Sequence, residues 1–155
     1  MRYAGIDYGL SRTGLAISDP SERLVFPLCT LHLKDYATRS ALLDAIALQI
    51  KEAQAEACVL GLPTPLEGPE TLICRQIRNV STRLFRRLEL PMYFMNEALS
   101  SQEDWADLCA AGVKLGKRKA ILDQQAAVRI LESFLALDVR PKPISFADHA
   151  ASLQG

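Results

Sequence analysis

A surplus of one charge is missing from this chain: 18 Lys and Arg stand against 18 Asp and Glu, leaving no net charge. A histone-like or polybasic protein is thereby excluded, and any nucleic-acid role must rest on a local basic patch. Long apolar runs are missing too. No stretch approaches the roughly eighteen apolar residues that read as a membrane span, and Met1-Arg2-Tyr3-Ala4-Gly5-Ile6-Asp7 does not resemble a secretory leader. No membrane partner is expected. Cysteine is sparse. Cys29, Cys58, Cys74 and Cys109 stand far apart without C-x-x-C spacing, each among Leu, Val, Ile or Ala, as small buried hydrophobes do. Such usage fits a reducing compartment, so a cytoplasmic location is expected. His32 and His149 are isolated and suggest neither a ligand nor a general base.

What is present is one domain's worth of chain, 155 residues and 49% hydrophobic, enough to bury a core without disulfide or structural metal. Residues 2–7 and 13–18 are short apolar runs joined by a hairpin-length loop. A third run, Leu24 to Leu33, follows the Asp19-Pro20-Ser21 turn and carries Pro27, which suits an edge strand. The period then changes. Leu42/Leu43, Ile46, Ile50 and Ala53 recur at helical spacing, and Ala57 to Leu60 is a short strand ended by Gly61-Leu62-Pro63. Residues 70–88 predict a helix with Ile73, Ile77, Val80, Leu84 and Leu88 on one face, and Pro91 to Met95 a buried strand. Ser100 to Ala111 predicts a short helix begun by a Ser100-x-x-Glu103 capping box, in which Trp105 anchors the helix or stacks on a base. A long helix is expected from about Lys119 to Leu137, ended by Pro141 and Pro143. The order β-β-β-α-β-α-β-α predicts an α/β fold: a mixed five-stranded sheet, three antiparallel strands then two parallel, with helices on both faces. Residues 1–138 form a single domain on this reading, and 139–155 a flexible tail.

Three carboxylates belong at one edge of such a sheet. Asp7 ends the first strand on the face it shares with Gly5, and otherwise reads as a turn former. Glu97 follows a buried strand, where charge also occurs simply because the chain emerges into water. Asp123 lies on the otherwise apolar stripe Asp123, Ala127, Ile130, Phe134 of the last helix. A carboxylate aimed at a core must shift its pKa, pair or bind a metal, unless it is a first-turn acid favoured by the helix dipole. Meeting together, three acids repel, and a divalent cation relieves them. Oxygen ligands without a His/Cys cluster favour Mg²⁺ or Mn²⁺ over Zn²⁺, and two such ions suit phosphodiester hydrolysis.

These residues carry a resemblance. Gly5-Ile6-Asp7-Tyr8-Gly9-x-x-Arg12-x-Gly14-Leu15-Ala16-x-Ser18-Asp19 is similar to the opening of the YqgF/RuvX family. Gly61-Leu62-Pro63 with Glu67-Gly68 resembles its second signature, and Lys117-Arg118-Lys119-x-x-x-Asp123-x-x-Ala126-Ala127 its basic segment. The match runs in order over about residues 2–137. It implies a ribonuclease H-like fold and a cytoplasmic, Mg²⁺-dependent nuclease that processes pre-16S rRNA in ribosome biogenesis or resolves Holliday junctions. It also implies that Asp7, Glu97 and Asp123 are the catalytic and metal-binding carboxylates. Asp19 matches the family's Ser-Asp-Pro turn and reads as a turn former. The family's Asp-Glu-Arg box is here Asn96-Glu97-Ala98, which removes a negative charge and a guanidinium. A nucleic-acid-binding, ribosome-associated factor with little catalysis is therefore the competing reading.

Two basic surfaces complete the sequence picture. Arg75, Arg78, Arg83 and Arg86 lie opposite the apolar stripe of the 70–88 helix, as a solvated face or as a ridge contacting phosphates. Lys114, Lys117, Arg118 and Lys119 form a basic loop before the last helix and, with Arg12, are candidate contacts to a phosphodiester backbone. The partner is a nucleic acid, precursor rRNA or branched DNA, and ribosomal particles are a further candidate. Monomer and homodimer both stay open.

Overall fold

Strand β1, Tyr3–Tyr8, is sorted by strict alternation: Ala4, Ile6 and Tyr8 enter one apolar layer, and Tyr3 enters a second. A computed structural model of the chain describes residues 1–63, 71–97 and 115–146, and only the backbone at 97 and 115–124. β2, Arg12–Ser18, lies antiparallel to β1, and β3, Val25–His32, antiparallel to β2. β4, Ala57–Pro63, runs parallel to β1, and β5, Met92–Glu97, parallel to β4. The order β3-β2-β1-β4-β5 is the expected mixed sheet, with Pro27 on the outer strand, where a missing N–H does least harm. Beside it the β2–β3 register shifts between Leu15 and Ala16, so Leu28 is an extra residue that bends the edge.

Helix α1, Arg39–Glu52, starts where the Thr38 hydroxyl accepts the Ala41 N–H at 3.1 Å. It ends with Gln54 in the left-handed region (φ 62°) and the Ala55 N–H donating to Ile50 O. Helix α2, Leu72–Leu88, stops at Glu89, also left-handed (φ 53°). Both cover one sheet face, where Leu42, Leu43, Ile46, Ile50, Ile77 and Leu84 pack on Ile6, Leu15 and Leu60. Helix α3, Leu115–Leu135, covers the other, seating Ala127, Ile130, Leu131 and Phe134 on Tyr3, Ala16, Ala57 and Val59. Each large side chain so buried stabilises the fold by about 1.5–3 kcal/mol. Cys58 and Cys74 are buried and Cys29 half-buried, and burial pushes the Cys58 thiol up to about 12. Among the described residues no helix is long and apolar enough to cross a membrane.

Two expectations need correcting. α3 begins at Leu115, so Lys117, Arg118 and Lys119 stand on its first turns and not in a loop. Leu, Lys, Arg and Ala are strong helix formers, and together they outweigh the one Gly116 that suggested a break. The tail is also docked as far as residue 146. Ile144 N–H donates to Met92 O at 2.7 Å, and the Phe146 ring stacks on Phe85 with centroids 4.4 Å apart. The helix already stops at Leu135, ahead of Pro141 and Pro143, and the chain beyond is held because Ile144 and Phe146 have an apolar seat. The 100–111 helix with Trp105, Lys114 and residues 147–155 fall outside the described residues.

Arg140 is the strap's first anchor. Its guanidinium donates to both Glu22 carboxylate oxygens (3.2 and 3.0 Å) and to the Tyr3 hydroxyl (3.2 Å), and lies over the Tyr3 and Phe134 rings. Those hydrogen bonds hold the Glu22 carboxyl below its ordinary range. Arg140→Ala is expected to cost about 1–2 kcal/mol in chemical denaturation.

Asp19 is the turn former the sequence suggests. Its Oδ1 accepts the backbone N–H groups of Arg23 and Leu24 at 2.8 Å, and its Oδ2 those of Ser21, main chain and hydroxyl. These donors, the Leu24 N–H first, lower its pKa from 3.8 to about 2. Since the folded value lies below the ordinary one, the bonds stabilise fully above pH 3.8 and are lost as pH falls toward 2. Asp19→Ala is expected to lower the melting temperature by a few degrees at pH 7 and to flatten its dependence on pH below 4, which a pH series of thermal melts measures.

Candidate active site

Because β1, β4 and β5 are parallel, their carboxyl ends share one edge of the sheet, where chemistry gathers in such folds. β2 begins at that edge and β3 ends there, which adds Arg12 and His32, cross-strand partners in the register. α3 runs antiparallel to β1. Its Phe134 ring meets Tyr3 with centroids 5.5 Å apart, while Ala127 and Leu131 press on Gly5. One step outward, two residues of strand advance about 6.7 Å and one helical turn of four residues about 6 Å. Asp7 on β1 and position 123 on α3 therefore come level. Asp123 sits two full turns inside α3, too far for the first-turn dipole reading, whose reach ends within a turn.

The same alternation places Asp7 on the α3 face with Tyr3 and Gly5, and its side chain is half-buried. Glu97 is opposite Pro63 in β4; the register Val59–Tyr93, Gly61–Met95, Pro63–Glu97 keeps position 97 in phase with Tyr93 and Met95, which pack on the α3 layer. It lies two strands across from Asp7, a lateral separation of about 10 Å. Asn96 is in phase with Leu62 and the α1/α2 layer, and is exposed. Asn96, one of the two departures from the family's box, thus stands on the opposite sheet face from Asp7 and position 97, and Ala98 lies outside the described residues.

Space beside Asp7 comes from glycine. Gly14 is its partner in β2, and the register Ile6–Leu60 brings Gly61 alongside in β4. A carboxylate flanked on both strands by residues without side chains has room for a ligand. Oxygen donors around such a gap suit a hard divalent cation. Among the described side chains no three His, Cys, Asp or Glu lie together, and of the trio only the Asp7 side chain is described.

Cations flank this edge. Arg75 and Arg78 are exposed on the first turns of α2, Arg78 with its guanidinium 5.2 Å above the Phe94 ring. Arg83 and Arg86 follow down the helix, Arg86 about 16 Å beyond Arg75. Lys117, Arg118 and Lys119 stand on the α3 end that meets the edge. His32 and Lys34 had no signal of their own in the sequence; the pairing of Arg12 with His32 across the β2–β3 meander brings them here.

Order and pairing of the strands, with helices on both faces, define a ribonuclease H-like fold. The chain matches, over residues 1–137, the family model described as "RuvX: Holliday junction resolvase". It is 47% identical over 137 residues to the protein named "Putative pre-16S rRNA nuclease" of Oleidesulfovibrio alaskensis, covering 88% of this chain and 93% of that one. It is equally identical to the protein of that name from Nitratidesulfovibrio vulgaris, covering 88% and 94%. Among solved structures it is similar to Thermus thermophilus RuvC in complex with a Holliday junction substrate, with TM-score 0.54, 17% identity and coverage of 93% of this chain and 99% of that one. The chain belongs to the RuvX family.

Proposed function

We propose that this chain is a divalent-metal-dependent nuclease that hydrolyses phosphodiester bonds, with the 5′ end of pre-16S rRNA as its substrate in the cytoplasm. The observation that carries the reading is the glycine-flanked Asp7, level with position 123 and on the same sheet face as position 97. The substrate is taken from the relatives, which carry the pre-16S rRNA nuclease name.

Asp7, Glu97 and Asp123 would hold Mg²⁺ or Mn²⁺, two ions on the chemistry of phosphodiester hydrolysis. When bound, such ions acidify water and stabilise charge at the phosphorus and on the leaving oxygen. The chain's own contribution is geometric. Asp7 is fixed by the centre of the sheet, position 123 by the seat of α3 on Gly5, and position 97 by its register with Pro63. Arg12, Lys117, Arg118, Lys119 and the Arg75–Arg78 pair would grip phosphates on either side of the acids without reading sequence, as would Lys114. No covalent intermediate on the protein is required.

A second reading is a resolvase acting on branched DNA, which the description of the family model favours. It needs a symmetric dimer to cut two strands, whereas a trimming nuclease works as a monomer. The test offers precursor rRNA and four-way junctions with Mg²⁺, Mn²⁺ or EDTA, and light scattering supplies the mass. Cleavage of precursor rRNA that stops in EDTA supports the first reading. Paired incisions by a dimer favour the second, and binding without turnover in any metal leaves a binding factor, with ribosomal particles as its partner.

A further inference from the structure

Beyond the acidic edge, a cavity of about 380 Å³ opens between the β1–β2 hairpin tip and the end of β3. It is lined by Leu10, Ser11, Arg12, His32, Leu33 and Lys34. Two of these six, Arg12 and Lys34, carry cations that suit phosphate, His32 adds an aromatic ring, and Leu10 and Leu33 present aliphatic surface. Leu10 is 61% exposed at the hairpin tip and adds apolar surface to the cavity wall. The frame is firm: Leu33 N–H donates to Ser11 O and Gly9 N–H to Arg12 O, both at 2.9 Å. Those bonds tie the hairpin tip to the end of β3 and hold the lining in place.

We infer that this cavity takes one unpaired nucleotide of the substrate strand next to the position of cleavage. The inference rests on the nuclease reading above and narrows it to substrates with an unstacked nucleotide beside the cut. Its lining lies at the edge that carries Asp7, with Arg12 one strand away and His32 two, about 10 Å at most across the sheet, so one strand can touch both. Unstacked bases are held by stacking on His rings and Arg planes and by apolar contact, while cations hold their phosphates. The cavity offers that combination: His32 and Arg12 as planes, Leu10 and Leu33 as apolar wall, Lys34 toward phosphate. A continuous duplex keeps its bases stacked inside and has nothing to insert.

The test uses the full chain in EDTA, so that nothing is cut. Binding of a duplex with a single-stranded overhang and of the blunt duplex is followed by anisotropy, with 2-aminopurine in the overhang as a stacking reporter. The wild-type chain is expected to prefer the overhang about tenfold, the scale of one stacked base, and to change the reporter's fluorescence. His32→Ala and Leu10→Ala should each remove most of that preference while leaving affinity for blunt duplex unchanged, with thermal melts confirming the fold. Equal binding of overhang and blunt duplex, or a preference that survives both substitutions, overturns the cavity's role and leaves the nuclease reading standing. A wild-type chain that cleaves in Mg²⁺ but leaves the reporter's fluorescence unchanged overturns it equally. Absence of both binding and cleavage overturns the two together.

Discussion

Asp7→Asn is expected to lower Mg²⁺-dependent cleavage by more than about a hundredfold, the most that losing an indirect partner of a metal usually costs. The substitution keeps shape and hydrogen-bonding capacity and removes one negative charge from the centre of the acidic edge. Asp7 is half-buried, and its direct neighbours on the flanking strands, Gly14 and Gly61, carry no oxygen-bearing side chain that could replace its carboxylate. A second readout does not depend on turnover. Cation binding to the folded chain stabilises it by mass action, so Mg²⁺ should raise the wild-type melting temperature. In Asp7→Asn that increment should shrink, each protein's own metal-free melt serving as its baseline. A variant that keeps both its cleavage rate and its Mg²⁺-dependent shift would remove Asp7 from the site.

How far this arrangement could be read from the sequence depends on the range of the interactions involved. Local periodicity is enough for Asp7, since Tyr3, Gly5 and Asp7 alternate with Ala4, Ile6 and Tyr8, and one face is apolar. The stripe Asp123, Ala127, Ile130, Phe134 likewise announces which side of the last helix is buried, and three of its members are. Pairing between distant segments is harder. The meeting of Arg12 with His32 depends on a register that slips between Leu15 and Ala16, and no local signal counts that extra residue. The start of α3 was hidden by Gly116 and the adjacent basic run, which look like a loop when weighed singly. Residues 139–146 carry no periodic pattern, and their order comes from tertiary partners, Glu22, Met92 and Phe85, that lie far away in sequence.

Gly5→Ala is the substitution expected to damage the fold and the chemistry together. A Cβ on Gly5 would sit 2.7 Å from the Ala127 carbonyl oxygen and 3.1 Å from Leu131 Cβ. The first contact is with helix backbone, which cannot rotate away as a side chain could, so α3 itself must lift from β1. Overpacking of this kind costs about 1–3 kcal/mol, and at about 2–4 °C per kcal/mol the melting temperature falls by several degrees. Position 123 lies one turn from Ala127 on the same helix and moves with it. A misplacement of about 1 Å is enough to cost roughly a hundredfold in rate. Cleavage should therefore drop at temperatures where circular dichroism still reports a folded chain. Gly5→Ala protein that melts and cleaves like wild type would show that α3 is not seated on β1 this closely, and position 123 would lose the support that brings it level with Asp7.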